Sequence, residues 1–224
     1  MRAKALKIEV DDVRAVSGLL MAPTAARACY VLAHGAGAGM THPFMESTAN
    51  GLARRGIATL RYQFPYMEQG GKRPDPPKLA HATVRAAVAA AAKTMPGTPL
   101  IAGGKSFGGR MTSQAQAVEP LAGVRGLAFL GFPLHPAGAP SIDRAKHLGD
   151  VRIPMLFLQG TKDALADIEL LKGVVKSLGA RATLHAEEHA DHSFHVPARS
   201  GRKDAEVLDG TLDALAAWVA EKIA

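Results

Sequence analysis

Pro99-Leu-Ile-Ala-Gly-Gly-Lys-Ser106-Phe-Gly-Gly-Arg-Met-Thr-Ser-Gln-Ala-Gln-Ala-Val118 is the stretch that decides the fold of this 224-residue chain. It opens on a short apolar run of the kind that forms a buried parallel strand. It then passes through a glycine-rich turn and continues with helix-forming composition that stops at Glu119-Pro120. The pentapeptide Gly104-Lys105-Ser106-Phe107-Gly108 fits G-x-S-x-G, in which a serine sits on a sharp strand-to-helix turn. Backbone crowding there leaves room only for small residues two positions either side of the serine. The pattern by itself is weakly specific in a chain with 23 glycines; the strand before it and the helix after it give it weight. Gly104-Lys105-Ser106 also matches the end of a phosphate-binding loop, but that motif needs a glycine at position 99, which is Pro.

The same alternation extends outward in both directions. Ala3 to Val10, Val16 to Met21, Tyr30 to Ala33, Ile57 to Tyr62, Leu100 to Gly103, Gly126 to Phe132, Ile153 to Leu158 and Ala182 to Ala186 read as strands. Helical patterns fall near Pro43 to Arg55, Leu79 to Thr94, Gly109 to Val118 and Asp167 to Leu178. A last one follows, with Leu208, Leu212, Leu215 and Val219 at helical spacing and Trp218 as a core residue. Gly56 is the stop signal of the first helix, and Glu68 to Pro77 reads as loop. This order predicts an α/β fold: a doubly wound, mostly parallel sheet with helices on both faces, in a single domain over residues 1–224. Only some twenty residues separate the strands ending at Phe132 and beginning at Ile153, too few for a substantial lid, so an open site is expected.

Composition narrows the function classes. Hydrophobic residues make up 47% and charged residues 21%, ordinary for a soluble globule. The N-terminal stretch lacks the apolar core of a signal peptide, and no run approaches the ~18 apolar residues of a membrane span. The lone Cys29 lies inside Ala28-Cys-Tyr-Val-Leu-Ala33, suits a buried strand, and points to a reducing cytoplasm. The net charge of +7 is scattered, with Arg54-Arg55, Lys72-Arg73 and the stretch from Arg199 to Lys203 the densest spots. Aromatic residues are only 5%, so neither nucleic acid nor membrane is an expected partner.

A serine hydroxyl needs a base, and the base needs an orienting acid. In chain order these follow the nucleophile as acid, then histidine. The strand from Ile153 runs into Gly160-Thr-Lys-Asp163, which places Asp163 at a carboxyl strand end, where ligand-handling residues gather in α/β sheets. Asp167 is the alternative acid and also a helix starter. His192, in Asp191-His-Ser-Phe194 after the last strand, is the candidate base, with His189 and His195 as competitors. The four histidines from His185 to His195 invite a metal reading, but they lack H-E-x-x-H and do not fall along one helix face; no metal and no cofactor are expected. His34-Gly-Ala-Gly-Ala-Gly39 resembles the glycine-rich loop of lipases and esterases that donates one backbone N–H to an oxyanion. The donors would be Ala36 (or Gly37) and Phe107. The same loop fails G-x-G-x-x-G because its last position is Met40.

From about Lys7 to Ile223 the chain resembles the α/β-hydrolase superfamily. More closely it is similar to the small, lidless, dienelactone-hydrolase-like branch that includes the KANL/Tex-type hydrolase-like domains. The shared features are His34-Gly-Ala-Gly-Ala-Gly39, Arg61-Tyr-Gln-Phe-Pro-Tyr66, Gly104-Lys-Ser-Phe-Gly-Gly109, Gly131-Phe-Pro-Leu-His135, Gly160-Thr-Lys-Asp163 and Asp191-His-Ser-Phe194. Dienelactone hydrolases proper use a cysteine nucleophile; Ser106 stands there, so their specificity is not implied. The expectation is a serine hydrolase acting on a small-molecule carboxylic ester or thioester through Ser106, His192 and Asp163. Its alternatives are a silent hydrolase-like interaction module, or an acyltransferase or perhydrolase with the same triad. His34, Gly37, Tyr62, Phe64, Tyr66, Lys105 and His135 are candidates for the pocket wall, with loop packing as the competing role. Lys105 either attracts an anionic acyl group or pairs with a carboxylate.

Overall fold

The computed structural model describes residues 1–223. Its strands are β1 (Lys4–Glu9), β2 (Ala15–Met21), β3 (Ala28–Ala33), β4 (Ile57–Tyr62), β5 (Leu100–Lys105), β6 (Val124–Leu130), β7 (Met155–Gly160) and β8 (Ala182–Glu187). They form one eight-stranded sheet in the order β1-β2-β4-β3-β5-β6-β7-β8. β2 runs antiparallel to both its neighbours, and the remaining pairings are parallel. Between the strands run α1 (Pro43–Arg54), α2 (Pro65–Glu68), α3 (Pro77–Thr94), α4 (Phe107–Val118), α5 (Ile168–Leu178) and α6 (Asp204–Lys222).

The element boundaries have local causes. α1 and α3 each begin on a proline, whose preset φ suits the first helical position; α3 therefore starts two residues before the apolar pattern that marks it. α1 ends where Gly56 takes φ +71°, a left-handed conformation that residues with a side chain resist. The expected loop after β4 holds the single turn α2, and the segment between β6 and β7 holds a 3₁₀ stretch, Asp143–Asp150. Ala145 and Leu148 of that stretch are buried in the core beside α4, so it packs down and does not form a lid.

Strand alternation builds the two layers. Along β3, Cys29, Val31 and Ala33 face the core under α3, α4 and α5, whereas Ala28, Tyr30 and Leu32 face the core under α1 and α6. β6 and β7 divide the same way, with Phe129 and Phe157 on the first side and Leu130 and Leu158 on the second. Helices on both faces explain why β3, β4 and β7 are buried at every position. Trp218 belongs to the second core. The loops after β3, β5, β7 and β8 all open at the carboxyl edge of the sheet, and the candidate residues sit on them.

Candidate active site

Ser106 is the residue between β5 and α4, held at φ 49° and ψ −115°. A non-glycine residue rarely takes this conformation, and its neighbours enforce it. A Cβ on Gly104 would stand 2.1 Å from the Ala33 carbonyl oxygen, and one on Gly108 2.5 Å from that of His34. Both glycines are therefore required by close backbone approach to the end of β3, and the serine between them is forced outward.

His192 comes to this turn from the loop after β8. Its Nε2 lies 2.9 Å from Ser106 Oγ, and its Nδ1 lies 2.7 Å from Asp163 Oδ2. A carboxylate cannot donate, so Nδ1 carries the proton and Nε2 accepts from the serine hydroxyl. The Asp163 side chain is fully buried. Its Oδ1 accepts from the Leu165 amide at 2.7 Å, and its Oδ2 also accepts from Gln159 Nε2 at 2.5 Å. Gln159 in turn accepts from the Phe132 amide at 2.8 Å, so one side-chain amide ties the end of β6 to the acid. A glutamine in the otherwise apolar run Met155-Leu-Phe-Leu-Gln159 is the sequence signal for this role.

The competing candidates have other partners. Asp167 is the N-cap of α5, its Oδ1 accepting from Glu169 and Leu170 amides at 3.0 Å. His195 pairs with Asp204 at 2.8 Å, and His189 is exposed beside Glu188. Among the described residues no three His, Cys, Asp or Glu side chains converge as metal ligands.

The loop after β3 supplies backbone donors to the same place. The Gly37 N–H is taken, donating to Tyr66 Oη at 3.0 Å. The Ala36 N–H has no acceptor among the described residues. Phe107, the first residue of α4, has no carbonyl one turn back within the helix to accept its N–H. The pair left open is Ala36 and Phe107.

A cavity of about 440 Å³ opens at Ser106, walled by Gly35, Ala36, Ala38, His42, Phe44, Met45, Lys105, Leu165, His192 and Ser193. Of the seven candidates for its wall, only Lys105 lines it. The others are corrections. His34 is fully buried: its Nδ1–H donates to the Gly35 carbonyl at 2.7 Å, and its Nε2 accepts from the Phe64 amide at 3.1 Å. Burial pushes its protonation down to about 4, so the ring is a neutral brace. Tyr62 is fully buried in the core with Phe64. Gly37 and Tyr66 bond each other behind the wall, and the amide of Tyr66 donates to Asp75. His135 is buried and accepts from the Asp167 amide at 2.7 Å.

These residues form the scaffold beneath the site. Gln63 Oε1 accepts from the Met40 amide at 2.8 Å, and buried Arg61 donates to the Met40 carbonyl at 3.1 Å. The whole segment Arg61 to Tyr66 thus clamps the loop that presents Ala36. The apolar wall residues Phe44 and Leu165 escaped the sequence reading because helix starts and loops carry no period from which to infer their direction. Met45, at helical spacing with Ala49 and Leu52, reads from its period as a core residue.

A sequence model of the family described as "Alpha/beta hydrolase domain" matches residues 26–220. Among solved structures, a dienelactone hydrolase from Anabaena variabilis superposes with a TM-score of 0.78 at 22% identity, covering 100% of this chain and 99% of its own. An alpha-beta serine hydrolase homologue from Coxiella burnetii gives 0.76 at 18% identity, covering 96% and 98% respectively. A serine hydrolase without a lid from Xanthomonas campestris gives 0.75 at 19% identity, covering 97% and 95%. At these identities the likeness is one of fold.

Proposed function

The chain belongs to the α/β-hydrolase domain family, and from that premise we propose that it is a serine hydrolase that cleaves a small carboxylic ester or thioester. The observation that carries this reading is the unbroken hydrogen-bond chain from Ser106 through His192 to buried Asp163, opening into a cavity beside two uncommitted backbone donors. Ser106 Oγ attacks the carbonyl carbon while its proton passes to His192 Nε2. The tetrahedral oxyanion accepts from the Ala36 and Phe107 N–H groups. Asp163 orients and stabilises the imidazolium. The intermediate collapses, His192 protonates the departing alcohol or thiol, and an acyl group remains on Ser106. Water, deprotonated by His192, attacks the acyl carbon and regenerates the serine.

The wall of Phe44, Met45 and Leu165 supports a short, largely apolar acyl group, and the absence of a lid supports a dissolved small-molecule substrate over an interfacial lipid. A reducing, cytoplasmic setting is supported by Cys29, whose thiol is buried and pushed up to about 12 by desolvation. Among the described residues no helix is long and apolar enough to cross a membrane.

Turnover of p-nitrophenyl acetate and butyrate tests the reading. Wild-type protein is expected to hydrolyse one or both and to be labelled by a fluorophosphonate probe. Ser106→Ala should lose both properties with an unchanged circular dichroism spectrum. Undiminished turnover in that variant refutes the assignment.

A further inference from the structure

Lys105 directly precedes the nucleophile, and the sequence leaves open whether it attracts an anionic acyl group or pairs with a carboxylate. It makes no ion pair with a carboxylate among the described residues. Its only hydrogen-bond acceptor there is the backbone carbonyl of His192, 2.5 Å from Nζ. Three features seat the ammonium. Phe44 and Phe194 flank it, with ring centroids 5.7 Å and 5.6 Å from Nζ, and the two rings stack on each other at 5.9 Å. Cation–π attraction offsets part of the desolvation. Gly131 leaves the space: a Cβ there would stand 2.8 Å from Nζ. The His192 loop is itself braced, because Asp191 Oδ1 accepts from the Ser193 and His195 amides at 2.7 Å and 2.9 Å.

We propose that Lys105 is a positioning residue that fixes the imidazole of His192 against Ser106 by gripping the His192 carbonyl. The nucleophile is then joined to its base twice: through the imidazole, and through the side chain of the residue before it. Phe194 belongs to the same loop, so carbonyl and ring hold the lysine from one segment. The side chain is half-buried at the cavity wall, and its ammonium is already engaged by a backbone carbonyl. Burial lowers the lysine's protonation to about 8, against the attraction of Asp163 and Asp191; the wild-type protein therefore weakens this contact by itself in mild alkali, when a neutral amine replaces the ammonium as donor.

The activity arm of the test rests on the proposed hydrolase reading. Lys105→Met keeps the length of the side chain and removes its donors. With p-nitrophenyl acetate, kcat should fall about 10- to 100-fold from misplacement of the base. KM should stay within about twofold, because a positioning residue does not bind substrate. Wild-type kcat should decline above about pH 8, and Lys105→Met should show no such limb. A kcat within about twofold of wild type, or a rise in KM alone, overturns the proposal.

Amide hydrogen exchange supplies a readout that needs no turnover. The segment 191–195 should exchange faster in Lys105→Met than in wild type at equal pH, with the strands unchanged. Unaltered exchange in that segment overturns the proposal even if the wild type hydrolyses no ester. Faster exchange in an inactive wild type supports the tether while refuting the hydrolase reading. Should Lys105→Met unfold, Lys105→Gln, too short to reach the carbonyl, serves the same measurements.

Discussion

Two serine–histidine hydrogen bonds flank the first turns of α4, and the shorter one is not the one we propose as reactive. Ser106 meets His192 at 2.9 Å, whereas Ser113 meets His147 at 2.7 Å. Ser106 stands on a strained turn at the wall of a cavity, and a buried carboxylate orients the far nitrogen of its histidine. Ser113 is buried within a helix, its hydroxyl directed to the Arg110 carbonyl at 3.0 Å. Among the described residues no carboxylate hydrogen-bonds to His147, and Asp150 acts on it only through its charge. Burial, with Arg110 and His81 nearby, drives the protonation of His147 down to about 4. An imidazole that resists protonation so strongly cannot serve as a base that must hold the serine's proton. The amides around Ser113 are committed to helical carbonyls, so no oxyanion could be received there. A nucleophile is made by its supports, not by a short distance to histidine.

The largest expected effect separates the two pairs outright. Ser106→Ala should lower kcat/KM for a p-nitrophenyl ester by at least about 10⁴-fold, while Ser113→Ala stays within about twofold of wild type. Equal losses in the two variants would break the distinction. Asp163→Asn comes next, expected to lower kcat about 10³- to 10⁴-fold by denying His192 Nδ1–H its acceptor and favouring the wrong tautomer. A loss below about tenfold would mean that the carboxylate does not orient the base.

Ser113→Ala should instead appear in stability. Removing the hydroxyl leaves His147 without its partner at a cost of about 1 kcal/mol, read as a lower midpoint in urea unfolding. The smallest effect concerns pH. In the folded protein His147 and His34 titrate near 4, below the 6.5 of a free side chain. The unfolded chain therefore binds more protons between those values, and stability falls as pH drops from 6.5 toward 4. His147→Gln should flatten part of that slope in a series of thermal midpoints, leaving the share of His34. Identical slopes would show that the burial of His147 is not coupled to folding.

Much of this architecture could be read before folding. Alternating apolar runs and helical patterns foretold each main element, because burial on both faces demands continuous apolar strands. The candidate positions were legible because each follows a strand, and chain order alone carries them to one sheet edge. Which way a side chain faces at that edge was harder. The period of two that puts Ala58 and Leu60 into one core layer also puts Tyr62 there, so its burial was in principle readable. His34, Tyr66 and His135 lie beyond their strands, where no period holds. Their hydrogen bonds to Phe64, Gly37 and Asp167 amides exist only because other loops pass within reach.

Sequence by itself therefore determined the order of elements, the turn that displays Ser106, and the edge at which Asp163 and His192 would stand. These follow from local sterics and hydrophobic period, which act over a few residues. Tertiary structure alone decided that Ala36 and not Gly37 keeps a free N–H, that Gln159 steadies Asp163, and that Lys105 grips a backbone carbonyl and not a carboxylate. Hydrogen bonds are directional and short-ranged, so which of several nearby polar groups pairs with which is set by loop positions that no local pattern encodes.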